Sequence, residues 1–257
     1  MEITGNDLLH LDFSRDMHSH PYEKGQTFEA MEAFVLKAIE LKFTEFVFSD
    51  HAPIDERLVA PHGLTMEEFV RYYEYSRELQ NKYKDKIRVI VGLEADYHPL
   101  NIDITKKLIK EYPLDFLLGS LHLHSQYWEK DIADLSASEL MEFSFNVSHE
   151  LVNSGLYDVM AHFDRFRQVF YKRNFDFDPF SMKEQFVTLF KAVIKNGLLL
   201  EINTSICNSH VGGSLENYVK MIEWSRDLGL KYIVGSDAHR TEDVGKWFCE
   251  LSALFSG

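Results

Sequence analysis

With 257 residues, 45% of them hydrophobic, and only 13 Gly and 6 Pro, the chain has the size and composition of one large domain, spanning 1–257, with a sizeable buried core; a disordered chain is excluded. Its 41 acidic residues against 27 basic ones leave a net charge of −14, which excludes a broad grip on a nucleic-acid backbone and favours a small substrate held locally. Cys207 and Cys249 form no C-x-x-C pair, and no apolar run approaches the roughly 18 residues of a membrane span. The expectation is a cytoplasmic protein with no disulfide framework, no thiolate metal site and no membrane partner.

A first strand is expected to run into Asp16, followed by a helix over 28–41, where apolar residues recur at i, i+3 and i+4. The next strand is 44–49 (TEFVFS). Thr65-Met66-Glu67-Glu68 has the form of a capping box and opens a helix over 66–83. Strands at 87–93 (IRVIVGL), 115–119 (DFLLG) and 157–161 (YDVMA) follow, with a helix over 139–152 between the last two. A helix over 182–195 ends at Gly197 before the strand 198–202 (LLLEI), and a helix over 215–228 ends at Gly229 before the strand 231–235 (KYIVG). Strand and helix alternating at this spacing imply a parallel sheet covered by helices, and about seven such units are enough to close a β/α barrel.

In a β/α barrel the catalytic face lies at the strand C-termini. The residues at those positions are Asp16-Met17-His18-Ser19-His20, Ser49-Asp50-His51, Gly92-Leu93-Glu94, Ser120-Leu121-His122, Ala161-His162, Glu201-Ile202-Asn203 and Gly235-Ser236-Asp237-Ala238-His239. Every strand end offers an imidazole or a carboxylate, although Asp, Glu and His make up only about a fifth of the chain. Such a set, free of thiolates, suits Zn²⁺, Mn²⁺ or Fe²⁺. Residues i and i+2 of a strand share a face, which points His18 with His20, and Asp237 with His239, toward one mouth. Glu94 is the central carboxylate, and its two oxygens can bridge two cations. His124 lies one step farther from its strand than His122, and His10, His62, His98, His149 and His210 read as surface or packing residues.

Taken together, D-M-H-S-H at 16–20, F-S-D-H-A-P at 48–53, G-L-E-A-D at 92–96, G-S-L-H at 119–122, A-H-F-D at 161–164, L-E-I-N-T-S at 200–205 and G-S-D-A-H at 235–239 resemble the polymerase and histidinol phosphatase (PHP) family, in its histidinol-phosphate phosphatase branch. The resemblance implies a distorted, TIM-like barrel of seven β/α units with two or three divalent metal ions. On its pattern His18, His20, Glu94 and Asp237 correspond to the ligands of one metal. Glu94 is shared with a second, also held by His122 and His162, while His51 and His239 correspond to ligands of a third. Where the family usually adds a His to that third site the chain has Gln26, a poorer ligand than imidazole. Where it usually has a phosphate-binding Arg the chain has Asn208. The candidate substrate contacts are therefore Arg165, Arg167 and Asn208, the guanidinium groups being able to pair two phosphate oxygens.

The implied reaction is hydrolysis of a phosphate monoester, first of all L-histidinol phosphate in histidine biosynthesis, by water activated between two metals. Asp237 or His239 would protonate the departing alkoxide. Two further readings stay open: a PHP phosphoesterase acting on another small phosphate ester or a nucleotide, and a metal-binding regulatory module without turnover.

Overall fold

The structure is a computed structural model that describes residues 11–22, 27–58, 63–207, 215–226 and 228–256. Gln26, Asn208, His10, His62 and His210 lie outside the described residues. The strands are β1 (Arg15–Asp16), β2 (Glu45–Phe48), β3 (Arg88–Asp96), β4 (Phe116–Ser120), β5 (Val159–Met160), β6 (Leu199–Asn203) and β7 (Tyr232–Gly235). They pair in chain order, each parallel to the next. The last returns to the first: Met17 N–H donates to the Val234 carbonyl at 2.9 Å, Asp237 N–H donates to the His18 carbonyl at 2.9 Å, and Ser19 bridges Ala238. The result is the nearly closed, seven-stranded β/α barrel expected from the alternation.

Helices α1 (Phe28–Glu40), α2 (Met66–Tyr83), α3 (Ile102–Glu111), α4 (Glu129–Ile132), α5 (Ala137–Asn153), α6 (Arg167–Lys172), α7 (Lys183–Lys195), α8 (Leu215–Arg226) and α9 (Phe248–Ser256) accompany the strands. Helix α2 starts where its capping box says it should: Thr65 Oγ1 accepts from Glu68 N–H at 3.1 Å, and Glu68 Oε2 accepts from Thr65 N–H at 2.8 Å. A second capping box, Ser136 with Glu139, sets the start of α5, so Glu139 is the third helical residue and not the first. Helices α3, α4, α6 and α9 add to the expected set. In α3 the buried face is completed by Thr105, which apolar periodicity does not register, and α6 has 6 residues, too few to display a period. No helix among the described residues is long and apolar enough to cross a membrane, and both cysteines are free.

Alternation along each strand divides the interior in two. Val47, Ile90, Phe116, Leu118, Val159, Ala161 and Ile233 form one apolar cluster inside the barrel. Phe46, Phe48, Val89, Leu93, Leu117, Met160, Leu200 and Ile202 point the other way and pack beneath the helices. The inward set changes character toward the strand ends. Gly92, Glu94 and Asp96 follow Ile90, Ser120 follows Leu118, Glu201 and Asn203 face opposite to Leu200 and Ile202, and Gly235 follows Ile233. One face of each strand thus builds a dry plug below and a titratable cup above. Strand β3 also runs three residues farther than the expected end at Leu93, which carries both Glu94 and Asp96 into the cup.

These features separate two costs. Thr65→Ala, which removes one exposed cap, should cost about 1 kcal/mol. Phe186→Ala, which empties a fully buried site edge-on to Phe145 and Phe163, should cost about 3–5 kcal/mol. Urea denaturation of the two variants checks the contrast, and equal losses would contradict it.

Candidate metal centre

Six of the seven strands deliver eight candidate ligands into one cup. His18 and His20 follow β1, His51 follows β2, Glu94 lies in β3, His122 follows β4, His162 follows β5, and Asp237 and His239 follow β7. His18, His20, Glu94, His122 and His162 are buried, His51 is half-buried, and the His239 side chain, 44% exposed, forms the rim.

Glu94 stands in the middle. Its Oε1 lies 2.8 Å from His162 Nε2 and 3.7 Å from His122 Nε2. Its Oε2 lies 2.9 Å from His51 Nδ1, 3.4 Å from His20 Nε2 and 3.5 Å from His18 Nε2. Beyond this second oxygen, Asp237 Oδ1 is 3.2 Å from His20 Nε2, 3.7 Å from His18 Nε2 and 3.5 Å from His239 Nε2. The carboxylate therefore parts the cup into a His122 and His162 side and a His18, His20 and Asp237 side. Ligand atoms of His18, His20 and Asp237 lie within 4.8 Å of one another, as do those of His20, His51 and His239 and those of His51, Glu94 and His122.

This donor set fits divalent cations. Glu94 Oε2 is buried and accepts no hydrogen bond of good geometry, although three imidazole nitrogens crowd it. His18 Nε2 and His20 Nε2 approach each other to 3.1 Å. Nitrogens and oxygens that converge without satisfying one another suit cations between them.

The backbone is held under strain at two of these positions. His162 has φ 22° and Asp237 has φ 55°, a region that costs a side-chain-bearing residue on the order of 1–3 kcal/mol. Each is pinned by its own amide: His162 N–H donates to Glu201 Oε2 at 2.7 Å, and Asp237 N–H donates to the His18 carbonyl.

The other motif carboxylates serve the frame. Asp16 accepts from Ser236 N–H, the Ser236 hydroxyl and Gly245 N–H at 2.9, 2.6 and 3.0 Å, tying β1 to the segment after β7. Asp50 accepts from Tyr22 N–H at 3.0 Å. Asp96 and Glu201, which sequence reasoning left without a role, accept from His122 and His18 respectively. The strand-end position of Glu201 and the i+2 relation of Asp96 to Glu94 were the available signals.

Burial opposes every charge in the cup, and the neighbours decide which charges survive. Glu94 is held well below the usual carboxylate range against burial by His51, His18 and His122. Asp237 is held low in the same way by His18 and His20. Burial lowers His18, but Glu201, Glu94 and Asp237 outweigh it and raise the ring well above its ordinary value. His20 goes well below, through burial and the facing His239 and His51. His51 resists burial through Glu94 and is pushed up to about 9.

The predicted guanidinium groups part company. Arg165 borders a cavity of about 440 Å³ together with Ser205, Asp237, His239, Arg240 and Lys246. Its Nη1 donates to Ser205 Oγ at 3.2 Å and lies 3.5 Å from Asp237 Oδ2, while its buried Nε has no hydrogen-bond partner. Arg167 is buried and paired with Asp164, with burial lowering its guanidinium to about 10. Of the packing histidines, His98 is buried against Trp128 and His149 is half-buried.

Residues 16–205 match the family model of the PHP domain, and residues 219–254 match a PHP-associated model. A "Probable histidinol-phosphatase" of Deinococcus radiodurans is 23% identical over 248 residues, covering 91% of this chain and 90% of that protein. The histidinol-phosphatase of Bacillus subtilis is 24% identical over 255 residues, covering 90% and 95%. The solved histidinol phosphate phosphatase of Lactococcus lactis, complexed with zinc, L-histidinol and phosphate, superposes with a TM-score of 0.70 at 20% identity, over 96% of this chain and 91% of that one, and so shares the fold.

The His51 ring sets a pH dependence. Its ordinary value of 6.5 rises to about 9, so its stabilisation of the metal-free protein is complete below about 6.5 and is lost as pH rises through about 9. A cation competes with that proton. Zn²⁺ added to metal-free protein in weak buffer at neutral pH should release protons, and Zn²⁺ affinity should climb with pH toward 9. Uptake without acidification would contradict the arrangement.

Proposed function

Because the chain belongs to the PHP family and is a metal-dependent phosphatase of that family, we propose that it hydrolyses L-histidinol phosphate to L-histidinol and phosphate, using two or three divalent ions of Zn, Mn or Fe. The observation that carries its two-metal chemistry is the parting of the cup by Glu94, and the choice of ester follows the histidinol-phosphatases to which the chain is similar. On that division His18, His20 and Asp237 would hold one metal and His122 and His162 a second, with the Glu94 carboxylate shared between them. His51 and His239, with His20 between them, are the ligands available to a third.

When bound, such metals acidify a water toward neutrality and neutralise phosphate oxygens. The protein's own groups do the rest. Arg165 borders the cavity beside Asp237, where its guanidinium is placed to pair phosphate oxygens. Ser205, already fixed by Asn203 at 2.5 Å, holds the guanidinium in place. Arg167 is spoken for by Asp164 and supports the loop that carries Arg165. When the third site is empty, His239 at the rim next to the cavity suits protonation of the departing alkoxide better than the enclosed Asp237. Low-dielectric walls strengthen each of these interactions.

A second reading, a different small phosphate ester, is favoured by Asn208, which occupies the place where the branch usually has a second phosphate-binding Arg. A phosphate-release screen over L-histidinol phosphate, nucleotides and sugar phosphates, each with Zn²⁺, Mn²⁺ and Fe²⁺, separates the two. L-histidinol phosphate should turn over far faster than the rest, and a faster ester would replace it as the substrate.

The two arginines should fail differently. Arg165→Ala should keep its stability and lose about 2 kcal/mol or more of transition-state binding, roughly 30-fold in kcat/KM. Arg167→Ala leaves Asp164 buried without its cation and should cost about 3–5 kcal/mol of stability. Steady-state kinetics beside urea denaturation checks both, and exchanged phenotypes would refute the assignment.

A further inference from the structure

We propose that Glu201 and Asp96 are positioning residues, each locking the ring of one metal ligand with its Nε2 lone pair facing the cup, and that the Glu201 lock requires a carboxylate whereas the Asp96 lock does not. The inference rests on the metal assignment above, with His18 on one metal and His122 on the other.

The two locks are alike on the side of the ring. His18 Nδ1 lies 2.7 Å from Glu201 Oε1, and His122 Nδ1 lies 2.5 Å from Asp96 Oδ1. An ionised carboxylate accepts and never donates, so each ring must present Nδ1–H to it. When the ring is neutral, as a ligand must be, Nε2 then keeps its lone pair on the side where Glu94 sits, 3.5 Å from His18 and 3.7 Å from His122. Fixing the far nitrogen in this way orients a ligand and raises its basicity.

They differ on the other oxygen. Glu201 Oε2 accepts from the His162 backbone N–H at 2.7 Å, and Asn203 adds an amide donor to Oε1 at 3.1 Å. A backbone N–H cannot reverse its role. Glutamine at 201 must place its NH₂ either against that N–H, donor to donor, or against His18 Nδ1. The second choice drives the His18 proton onto Nε2 and fills the lone pair the metal needs.

Asp96 Oδ2 instead accepts from the Tyr127 hydroxyl at 2.5 Å, and Ser120 Oγ–H donates to Oδ1 at 2.5 Å. A hydroxyl can rotate and accept. Asparagine at 96 can therefore turn its NH₂ to Tyr127 and keep its oxygen on His122.

The test counts and titrates bound Zn²⁺ in the full-length protein against a competing chelator, with thermal unfolding of the metal-free variants as the folding control. It reads metal affinity and is independent of which phosphate ester is cleaved. Glu201→Gln should weaken one zinc equivalent by roughly 10–100-fold and leave the other intact. Glu201→Asp, shorter but still a carboxylate, should bind more tightly than the isosteric Glu201→Gln; packing would rank them the other way. Asp96→Asn should retain wild-type affinity while Asp96→Ala weakens one equivalent. Wild-type binding by Glu201→Gln, a Gln variant that outbinds the Asp variant, or equal losses in Asp96→Asn and Asp96→Ala would each overturn the proposal. Should Glu201→Gln not fold, Glu201→Asp against Glu201→Ala decides the Glu201 lock, the Asp variant being expected to bind one zinc equivalent more tightly and equal binding overturning it.

Discussion

The Glu94 carboxylate, 1% exposed in the middle of the barrel mouth, sets the terms for everything around it. Removing a carboxylate from water costs several kcal/mol unless positive charge meets it. Arginine and lysine are kept to the edge of the cup, and five imidazoles face the two Glu94 oxygens directly. Imidazole can supply that charge as a proton or pass the task to a cation. The raised values of His18 and His51 describe the first condition, and binding of divalent metal describes the second.

The frame obeys the same constraint. At Gly235 a Cβ would overlap Glu201 Oε1 and the His18 Cβ, so β7 can close on β1 at that level only with a glycine. The strained His162 and Asp237 are tolerated because their amides are fastened to Glu201 and to the His18 carbonyl. Glu201 therefore touches one ligand by its ring and another by its backbone. Asp16 and Asp50, which share motifs with the ligands, hold neighbouring amides and leave the metal side to imidazole.

The barrel was legible because alternation of strand and helix survives in single residues, and the cup because each inward strand face ends on a titratable side chain. What the sequence hid was depth. Asp96 was passed over because the apolar run of β3 stops at Leu93 while the pairing with β4 continues to Asp96. Glu201 reads like any strand-end acid until the approach of β7 puts His18 against it. Arg165 and Arg167 are equivalent in sequence, and only the turn before α6 sends one to the cavity and the other to Asp164. Expected boundaries at α5 failed for a related reason, since Glu139 satisfies the cap of Ser136 from inside the helix.

The central claim is that one carboxylate is shared between two metals, and anomalous diffraction from metal-loaded crystals tests it most directly. The account predicts two peaks about 3.5–4 Å apart, one among His18, His20 and Asp237, the other between His122 and His162, with Glu94 contributing one oxygen to each. A single peak, or two peaks with Glu94 outside both coordination shells, would contradict it.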